Sequence, residues 1–525
     1  MIILITILFP IISGIIISNI HMEDRQPHVW YAAAILITDL LGANAILTGG
    51  KLTLFSFTET VSAYFAVDGI SRFFMIVVML LFSVTCFYAF EYMKMEEREN
   101  AFFAFYFICY GAMLAVCMAG NLVTLYLCFE MATLTSMPLV LHELTKDAVS
   151  AALKYLFYSI GGALLGLLSI FFVCYYSLDA GAFALGGTLD LARLAGNEKV
   201  MLAMAFVGIM GFGTKAGMYP MHGWLPAAHP IAPAPASALL SGIIAKAGII
   251  AIIRLVYYSI GADFLRGTWV QYAWMTLCML TIFMGSMMAF KEKVMKKRLA
   301  YSTISQISYI SLGLALLVPE GAEGALLHVA AHATSKGCLF LAAGTFIYKL
   351  GKRNVGELKG IGKQLPITMW CFLFASLSLV GIPPMGGYVS KWYIALAAVG
   401  GGMGAYSILP PIILLVSALL TAGYLLPVVV DAFFPGHEHA EEAVLHHASG
   451  KRGAATSASG KTSDKKVSKP VSGEGTWQKE KRTAGDEVPV RESALMYVPM
   501  IILSVAALCV GIFGSQIAEA MRAFL

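Results

Sequence analysis

Charged residues are scarce in this sequence. Asp, Glu, Lys and Arg together make up 13% of its 525 residues, whereas hydrophobic residues make up 58%. Soluble domains carry about a quarter of charged residues, so a chain with this balance cannot cover a water-exposed surface with polar groups. We therefore expect lipid to solvate much of the molecule. The net charge of +5 is small, and no basic patch with interleaved aromatic residues is present, which argues against a nucleic-acid partner.

The sequence also lacks the cysteine spacing of a metal site or a disulfide framework. Its nine cysteines are scattered through apolar stretches without a CxxC pair, which argues against disulfides, structural zinc and iron–sulfur clusters. It contains no haem-attachment or nucleotide-binding fingerprint either. We therefore expect no cofactor in this chain and no catalytic or redox site of its own.

Long apolar runs dominate what is present, and a spanning helix needs about 20 such residues. The first run has no basic leader and no small-residue cleavage site, so we expect it to be retained as helix 1. The pattern predicts an all-α integral membrane protein of about fourteen transmembrane helices. We place them near residues 2–20, 29–48, 69–90, 101–119, 121–142, 152–176, 200–221, 236–259, 270–290, 299–318, 325–349, 366–396, 406–431 and 496–516.

Basic residues are unevenly distributed between the loops. Loops 291–298 and 349–363 carry clusters of Lys and Arg, whereas loops 319–324 and 397–405 carry none. Positive charge marks the cytoplasmic side of a membrane protein. We therefore predict a multi-pass protein of the cell (inner) membrane with both termini on the outer side.

One segment differs in composition from the rest of the chain. Residues 437–495 are rich in Ser, Gly, Lys and Thr, and such a segment cannot bury enough apolar area to offset its ordering entropy. We predict a disordered cytoplasmic loop here. Four of its histidines are clustered and could bind a metal, although a solvated linker is the favoured interpretation: His437, His439, His446 and His447.

Several ionisable residues fall inside the predicted helices, where inserting one charge costs about 2.5–3.5 kcal/mol. Lys246 and Lys336 have long apolar runs on both sides, so snorkelling to the headgroups is difficult for them. We interpret five such groups as functional: Glu130, Lys215, Lys246, Lys336 and Lys391. Three other charged residues lie near helix ends, where anchoring at the membrane interface is at least as good an interpretation: Lys154, Arg254 and Asp431.

Two histidines precede one of these lysines at a regular spacing. His328, His332 and Lys336 are each four residues apart, which places them on one face of a helix. Histidine titrates near neutral pH and can pass protons between neighbours. The spacing favours a proton-conducting stripe over histidines that only pack and hydrogen-bond.

Two of the charged helices are interrupted by Gly and Pro, within 211–242 and within 381–391; the breaking residues are Gly217, Pro220, Pro383 and Pro384. Such breaks are tolerated where protein or a water-filled cavity receives the freed backbone groups, although proline can also merely kink a packing helix. Paired breaks predict two inverted five-helix repeats, helices 4–8 and 9–13, with Lys215 and Lys391 as counterparts. The expected organisation is helices 1–3 (1–100), two repeats (101–260 and 270–431), the 437–495 loop and helix 14 (496–525).

At these residues the chain resembles a known family. The stretch GTKAGMYPMHGWLPAAHPIAPAPASALLSGIIAKAG is the most specific signal, and FEMATLTSMPLVL, KRLAYSTISQISYISLG, HVAAHATSKGCLFLAAG and LVGIPPMGGYVSKWY add to it. They resemble the antiporter-like, proton-conducting subunits shared by respiratory complex I, Mrp-type sodium/proton antiporters (the D-type subunit) and membrane-bound energy-converting hydrogenases. The resemblance covers about residues 60–430.

The resemblance implies a role for each ionisable residue. It implies a carboxylate on helix 5 paired with a lysine on broken helix 7, a relay lysine on helix 8, and further groups on helices 11 and 12. In chain order these are Glu130, Lys215, Lys246, His328, His332, Lys336 and Lys391. Some complex I members have Glu at the last position, so Lys391 is more similar to the other branches. The 437–495 insertion departs from the compact pattern of the family.

The function expected from residues and resemblance together is proton translocation through this line, with or without exchange for Na⁺. The partners would be other membrane subunits of one complex, related antiporter-like subunits among them, and that complex would be an ion-translocating oxidoreductase or an antiporter. Two alternatives stay open. One is a self-sufficient secondary transporter of a small solute, and the other is a non-conducting assembly subunit whose charges only pair helices.

Overall fold

The computed structural model describes residues 1–19, 27–58, 61–179, 181–435 and 491–524. The greater part of the predicted 437–495 loop, with its four clustered histidines, lies outside the described residues. That prediction therefore stays untested.

The N-terminal part contains three long helices and a short hairpin. The hairpin precedes the third helix and was not predicted from the sequence; its antiparallel register runs from Gly50↔Val67 to Ser56↔Ser62. The elements are α1 (Ile2–Asn19), α2 (Pro27–Thr48), β1 (Gly50–Ser56), β2 (Ser62–Val67) and α3 (Gly69–Tyr92), followed by a 3₁₀ turn at Met93–Met95.

The next part begins with three long helices and continues in shorter pieces. The elements are α4 (Glu99–Met118), α5 (Leu122–Leu141), α6 (Lys146–Tyr176), α7 (Leu191–Leu194), α8 (Glu198–Lys215), α9 (Leu225–Ile231), α10 (Ala234–Gly242), a 3₁₀ turn (Ile244–Lys246), α11 (Ala247–Ile253), a π-helical stretch (Arg254–Ile260) and α12 (Ala262–Leu265). Side-chain caps fix the start of several helices by accepting a backbone N–H three residues on, as at Asp68, Asn121 and Thr145.

The remaining part repeats this plan of long helices and one interrupted pair. The elements are α13 (Trp269–Lys291), α14 (Met295–Ala315), α15 (Pro319–Leu350), 3₁₀ turns at Val355–Leu358 and Ile361–Lys363, α16 (Pro366–Val380), α17 (Gly386–Gly400), α18 (Ala405–Phe433), α19 (Ala494–Ile512) and α20 (Gly514–Arg522). Every apolar run predicted from the sequence coincides with one of these helices or with an interrupted pair of them.

Ten helical segments of the described residues are long and apolar enough to cross a membrane by length and composition. α14 and α15 are not among them, because hydroxyl, His and Lys side chains lower their hydropathy. Those polar side chains are buried inside the bundle rather than exposed on its surface. The count of fourteen spans and the inverted repeats stay predictions.

α15 lies at the centre of the second half. It packs against helices from both halves and from the C-terminal part, namely α3, α10, α14, α16, α17 and α19. Most of its side chains are buried, His328, His332 and Lys336 among them. The polar face predicted for this helix therefore points into the protein.

A buried ion pair ties the π-helical stretch to the start of α3. Arg254 donates to both carboxylate oxygens of Asp68, at 2.5 and 2.8 Å, and its guanidinium lies 4.7 Å from the ring centres of Phe183 and Tyr258. The Arg254 side chain is 2% exposed and that of Asp68 is 40% exposed. Burial by itself would raise the pKa of Asp68, but the hydrogen bonds and charge of Arg254 outweigh it and hold that pKa below its usual range. Arg254 is therefore a buried clamp rather than a membrane-interface anchor.

Neutralising the carboxylate of this clamp should destabilise the protein. We expect Asp68→Asn to cost about 1–3 kcal/mol, less than for a fully buried pair because solvent screens Asp68. A lower apparent melting temperature of the detergent-purified protein would show this. The matched control is Arg193→Ala, an exposed arginine 4.5 Å from the Tyr175 ring centre, which should change little.

The same comparison has a defined pH dependence. A carboxyl whose pKa is lowered by folding stabilises the protein above its ordinary pKa, and that contribution is lost as the pH falls through the lowered value. The difference between wild type and Asp68→Asn should therefore shrink in acid. A difference that stays constant from neutral to strongly acidic pH would contradict an ionic clamp.

Candidate functional site

The first group of predicted site residues surrounds the end of α8. Lys215 is the last residue of that helix and is 1% exposed. Its Nζ donates to Thr133 Oγ1 at 3.0 Å and to the Tyr155 hydroxyl, and it lies 3.5 Å from Ser159 Oγ. The Tyr155 hydroxyl is 2.7 Å from Ser136 Oγ. Neutral hydroxyl groups therefore surround this amine.

Glu130 lies one turn before Thr133 on α5, but it does not form an ion pair with Lys215. Both residues are described, and no contact within 4 Å joins the carboxylate to the amine. Glu130 is half-buried, and its Oε1 is buried without a hydrogen-bond partner among the described residues. The two groups stay within electrostatic range of one another. The structure therefore does not bring the two predicted partners into direct contact.

The second group begins at a helix interruption that was not predicted from the sequence. The predicted continuous helix 236–259 ends as α10 at Gly242, and Ile243 leaves the helical region with φ −142° and ψ −37° before α11 begins. The Nζ of Lys246 donates to the carbonyl of Ser241 at 2.9 Å and to that of Gly242. A cation at a helix C-terminus is favoured by the unpaired carbonyls and the helix dipole. Lys246 therefore caps the C-terminus of α10.

Lys246 also contacts the histidine stripe of α15. Its Nζ lies 2.7 Å from Nδ1 of His332, whose ring centre is 6.2 Å from that of His328. His328 in turn contacts Ser390 Oγ at 2.8 Å and Gln306 Oε1 at 3.1 Å. The four-residue spacing therefore does place both rings on one buried face, with polar partners at each ring.

Lys391 repeats the arrangement of Lys246 at the other interruption. Its Nζ donates to the carbonyls of Leu379 and Val380, at 2.5 and 3.0 Å, where α16 ends. It lies 5.0 Å from the ring centre of Tyr309, and that ring centre lies 5.3 Å from that of His328. Lys391 is half-buried. The line from Lys246 through the histidines thus reaches the neighbourhood of Lys391.

Lys336, the third member of the stripe, points away from this line. Its Nζ donates to the carbonyl of Leu299 on α14 at 3.0 Å, and its side chain is fully buried. It lies one turn beyond His332 without a direct hydrogen bond to that ring among the described contacts. Lys336 is therefore hydrogen-bonded outside this line, although it stays within electrostatic range of His332 and Lys246.

The proline and glycine breaks lie where the sequence indicates. Gly217, with φ +78°, and Pro220 lie between α8 and α9, and Pro383 and Pro384 lie between α16 and α17. Lys215 precedes its break, whereas Lys391 follows its break. The predicted counterparts thus both adjoin an interruption, from opposite sides.

The two groups of residues meet where α11 packs on α8. Gly248 lies two residues after Lys246, and a Cβ there would be 2.4 Å from the carbonyl oxygen of Phe212 and 3.2 Å from Cβ of Lys215. Only a residue without a side chain allows this approach. The backbone that carries Lys246 therefore lies directly against Lys215.

Several polar residues of the site were not predicted from the sequence. They are hydroxyl and amide side chains in apolar helices, where single Ser, Thr, Tyr or Gln residues are too common to stand out: Thr133, Tyr155, Ser159, Gln306 and Ser390. His229, fully buried in α9, was also missed. It lies within the GTKAGMYPMHGWLPAAHP stretch, whose prolines and glycines predicted a helix break but gave no separate signal for the histidine.

Comparison with known families matches residues 119–421 to the family described as NADH:quinone oxidoreductase/Mrp antiporter, TM. The chain is similar to NADH-quinone oxidoreductase subunit N of Desulforudis audaxviator, with 33% identity over 65% of this chain and 67% of that protein. It is also similar to the D-type subunit of the Na(+)/H(+) antiporter of Alkalihalophilus pseudofirmus, with 28% identity over 70% and 73%. Similarity to hydrogenase-4 component B of Escherichia coli, at 32% identity over 62% of this chain, spans 49% of that protein.

Two solved structures share the fold. One is the membrane-bound sulfane sulfur reductase, an archaeal respiratory membrane complex, with a TM-score of 0.78 at 19% identity. The other is the Mrp complex from Dietzia sp. DQ12-45-1b, with a TM-score of 0.77 at 22% identity. Each match covers 99% of this chain and 96% of the other chain. The predicted all-α membrane fold and the predicted resemblance are confirmed.

The close approach at Gly248 gives a direct test of the site geometry. Gly248→Ala places a methyl group against the Phe212 carbonyl and must push α11 away from Lys215, so we expect a lower apparent melting temperature. Gly161→Ala on α6 is the matched control, because a Cβ there meets nothing within 4 Å and alanine favours the helix. Equal melting temperatures for the two variants would contradict the contact.

Proposed function

This chain belongs to the NADH:quinone oxidoreductase/Mrp antiporter membrane family, and we propose that it is a proton-translocating, antiporter-like subunit of a multisubunit membrane complex. The proton moves at mid-membrane depth between ionisable side chains of different helices. The proposed relay residues, in chain order, are Glu130, Lys215, Lys246, His328, His332, Lys336 and Lys391.

The observation that carries this proposal is the contact between Lys246 and His332. A distance of 2.7 Å joins an amine to an imidazole nitrogen, which is the geometry needed for a proton to pass between two nitrogens. The remaining acceptors of Lys246 are uncharged carbonyls. Because no carboxylate of the described residues forms an ion pair with this ammonium, the lysine can release its proton to the ring and regain it.

The histidines extend the path because each ring has two nitrogens. A ring that accepts a proton at one nitrogen can release one from the other. This leaves the ring as the other tautomer, and a rotation of the ring restores the first tautomer before the next proton. Nε2 of His332 is buried without a partner among the described residues, and a water molecule beside it would connect it to the ring of His328. From His328 the path continues past Ser390 to Lys391.

Entry to the path is proposed at Glu130 and Lys215. In the geometry described above, hydroxyls hold the amine, and Oε1 of the carboxylate has no hydrogen-bond partner among the described residues. Bringing them together would stabilise the charged amine, and separating them would favour release of its proton towards Lys246. A neighbouring subunit that changes the charge near the half-buried Glu130 would thereby drive the cycle. Water between Lys215 and Lys246 completes this step.

The surroundings of the chain follow from the same proposal. Relatives are named as subunits of a quinone oxidoreductase and of a Na(+)/H(+) antiporter, and we propose that this chain likewise works beside related membrane subunits. The charge of the basic loops supports a position in the cell membrane with both termini on the outer side. Exchange for Na⁺ is a second candidate activity, favoured by the similarity to the D-type antiporter protein.

Ion flux in proteoliposomes that contain the parent complex tests the proposal. We expect Lys246→Ala and Glu130→Gln to lower pH-gradient-linked flux by about tenfold or more, because each removes a group that holds the transferred proton. Lys199→Ala is the control, since this lysine is exposed at the start of the helix that ends at Lys215. Unchanged flux in assembled Lys246→Ala complexes would defeat the relay. Replacing Na⁺ by choline separates proton movement alone from exchange.

A second substitution distinguishes the relay from its two alternatives. Lys246→Arg keeps a positive charge and donors for the end of α10, but arginine does not release its proton. An assembly subunit should tolerate this variant, whereas a relay should lose flux while the complex still forms. Flux that depends on an added solute instead would favour the secondary transporter.

A further inference from the structure

His229 is buried on every side and yet hydrogen-bonds to nothing through its ring. Its exposure is 0%, and neither Nδ1 nor Nε2 has a partner among the described residues. The ring stacks on Phe340 of α15 at a centroid distance of 4.7 Å and an angle of 21°. Each buried polar atom left unpaired costs about 1–3 kcal/mol. A histidine whose only role was to pack against Phe340 would carry this free-energy cost with no compensating interaction.

Two lysines from different helices approach this ring. Lys336 precedes Phe340 by one turn of α15, and Lys296 begins α14; both act electrostatically on His229. The Nζ of Lys296 donates to the carbonyls of Pro230 and Ala232, at 3.3 and 2.5 Å, which directly follow the histidine in the chain.

A second backbone contact links Lys336 to the helix that carries Lys296. Lys336 donates to the carbonyl of Leu299, which lies three residues after Lys296 and therefore on the same face of α14. These contacts bring the three basic residues to the place where α9, α14 and α15 meet. Buried polar groups that lack a protein partner are the groups that bind internal water, and both imidazole nitrogens of His229 belong to this class among the described residues.

The far end of this group reaches the basic loops. Lys296 is 5% exposed and interacts electrostatically with Glu96, Glu143 and Arg353. Both glutamates lie in loops and are half-buried, and Met295 N donates to the Arg353 carbonyl at 3.0 Å. Burial, together with the neighbouring charge of Glu143, raises the pKa of Glu96. This edge of the bundle therefore presents carboxyl groups to the water, one of which retains its proton to a higher pH than usual.

From this geometry we propose that His229 and Lys296 form a proton-conducting branch that joins Lys336 to the aqueous side of the basic loops. The inference rests on the proposed function of the main line. A proton held by the Lys296 ammonium passes through water to one nitrogen of His229, and the other nitrogen releases its proton through water to the Lys336 amine. Lys296 is then neutral, Lys336 is charged and His229 is in its other tautomer. Lys296 regains a proton from the aqueous side, Lys336 passes its proton on to the main line, and rotation of the His229 ring restores the first tautomer. No electron moves.

Chemical rescue tests the branch. His229→Ala leaves a ring-sized space between the two lysines, and we expect it to lower proton flux of the reconstituted complex by about tenfold or more. Added imidazole should restore much of that flux, because it fits the space and carries protons at neutral pH. Pyrazole has the same ring size but is a far weaker base, so it should restore nothing.

The matched control is His142→Ala. His142 also has a buried, unpartnered ring nitrogen, but it packs on Phe102 and lies near Arg98 rather than between lysines. Its flux should stay at the wild-type level with or without imidazole. Should His229→Ala fail to assemble, His229→Gln replaces it, since an amide fills the space without carrying protons, and full flux in that variant overturns the branch.

The remaining outcomes separate the branch from the main relay. Wild-type flux in His229→Ala, with Lys246→Ala inactive in the same preparation, overturns the branch and leaves the relay standing. A loss of flux that imidazole does not restore also overturns the branch, because the histidine then only supports the structure. Wild-type flux in both variants overturns the proposed function itself, and the branch with it.

Discussion

A lysine amine inside a lipid-embedded bundle must find several oxygen acceptors, and this requirement shapes the interior of the molecule. The carbonyls of a regular helix are already paired, so they offer only shared acceptors, as the Leu299 carbonyl of α14 does for Lys336. The interruption after Gly242 and the end of α16 at Val380 each expose unpaired carbonyls, and Lys246 and Lys391 occupy them. Lys215, which lacks such an end, is held by side-chain hydroxyls instead. The breaks in the helices are thus the sites where buried amines become tolerable.

The kind of acceptor also decides whether a buried cation can change its charge. Arg254 is paired with the Asp68 carboxylate and stacked between two aromatic rings, and a guanidinium stays charged under all ordinary conditions. It therefore holds two segments together. Lys246 and Lys391 face uncharged carbonyls, which stabilise the ammonium less than a carboxylate would. The same fold thus uses Arg254 as a fixed structural cation and contains several releasable ones in the proposed relay.

The sequence predicted those features that carry a strong local signal. Long apolar runs located the helices, four-residue spacing placed His328 and His332 on one face, and prolines marked two breaks. The interruption at Ile243 carries no proline, so its pattern resembled a continuous helix. His229 was not predicted as a site residue, because the prolines and glycines around it indicated only a helix break. The separation of Glu130 from Lys215 depends on how α5 and α8 pack, and residue identity alone does not contain that distance.

The unbroken helix α15 sets the spacing of the groups that it carries. Four residues of an α-helix rise about 6 Å, and the ring centres of His328 and His332 lie 6.2 Å apart, so α15 sets the spacing of its groups by its own backbone. The helix interruptions bring Lys246 to His332 and Lys391 to Tyr309, which packs against His328. In the proposed relay, α15 would therefore fix the positions of the two histidines, and the helix breaks would determine which amines reach them.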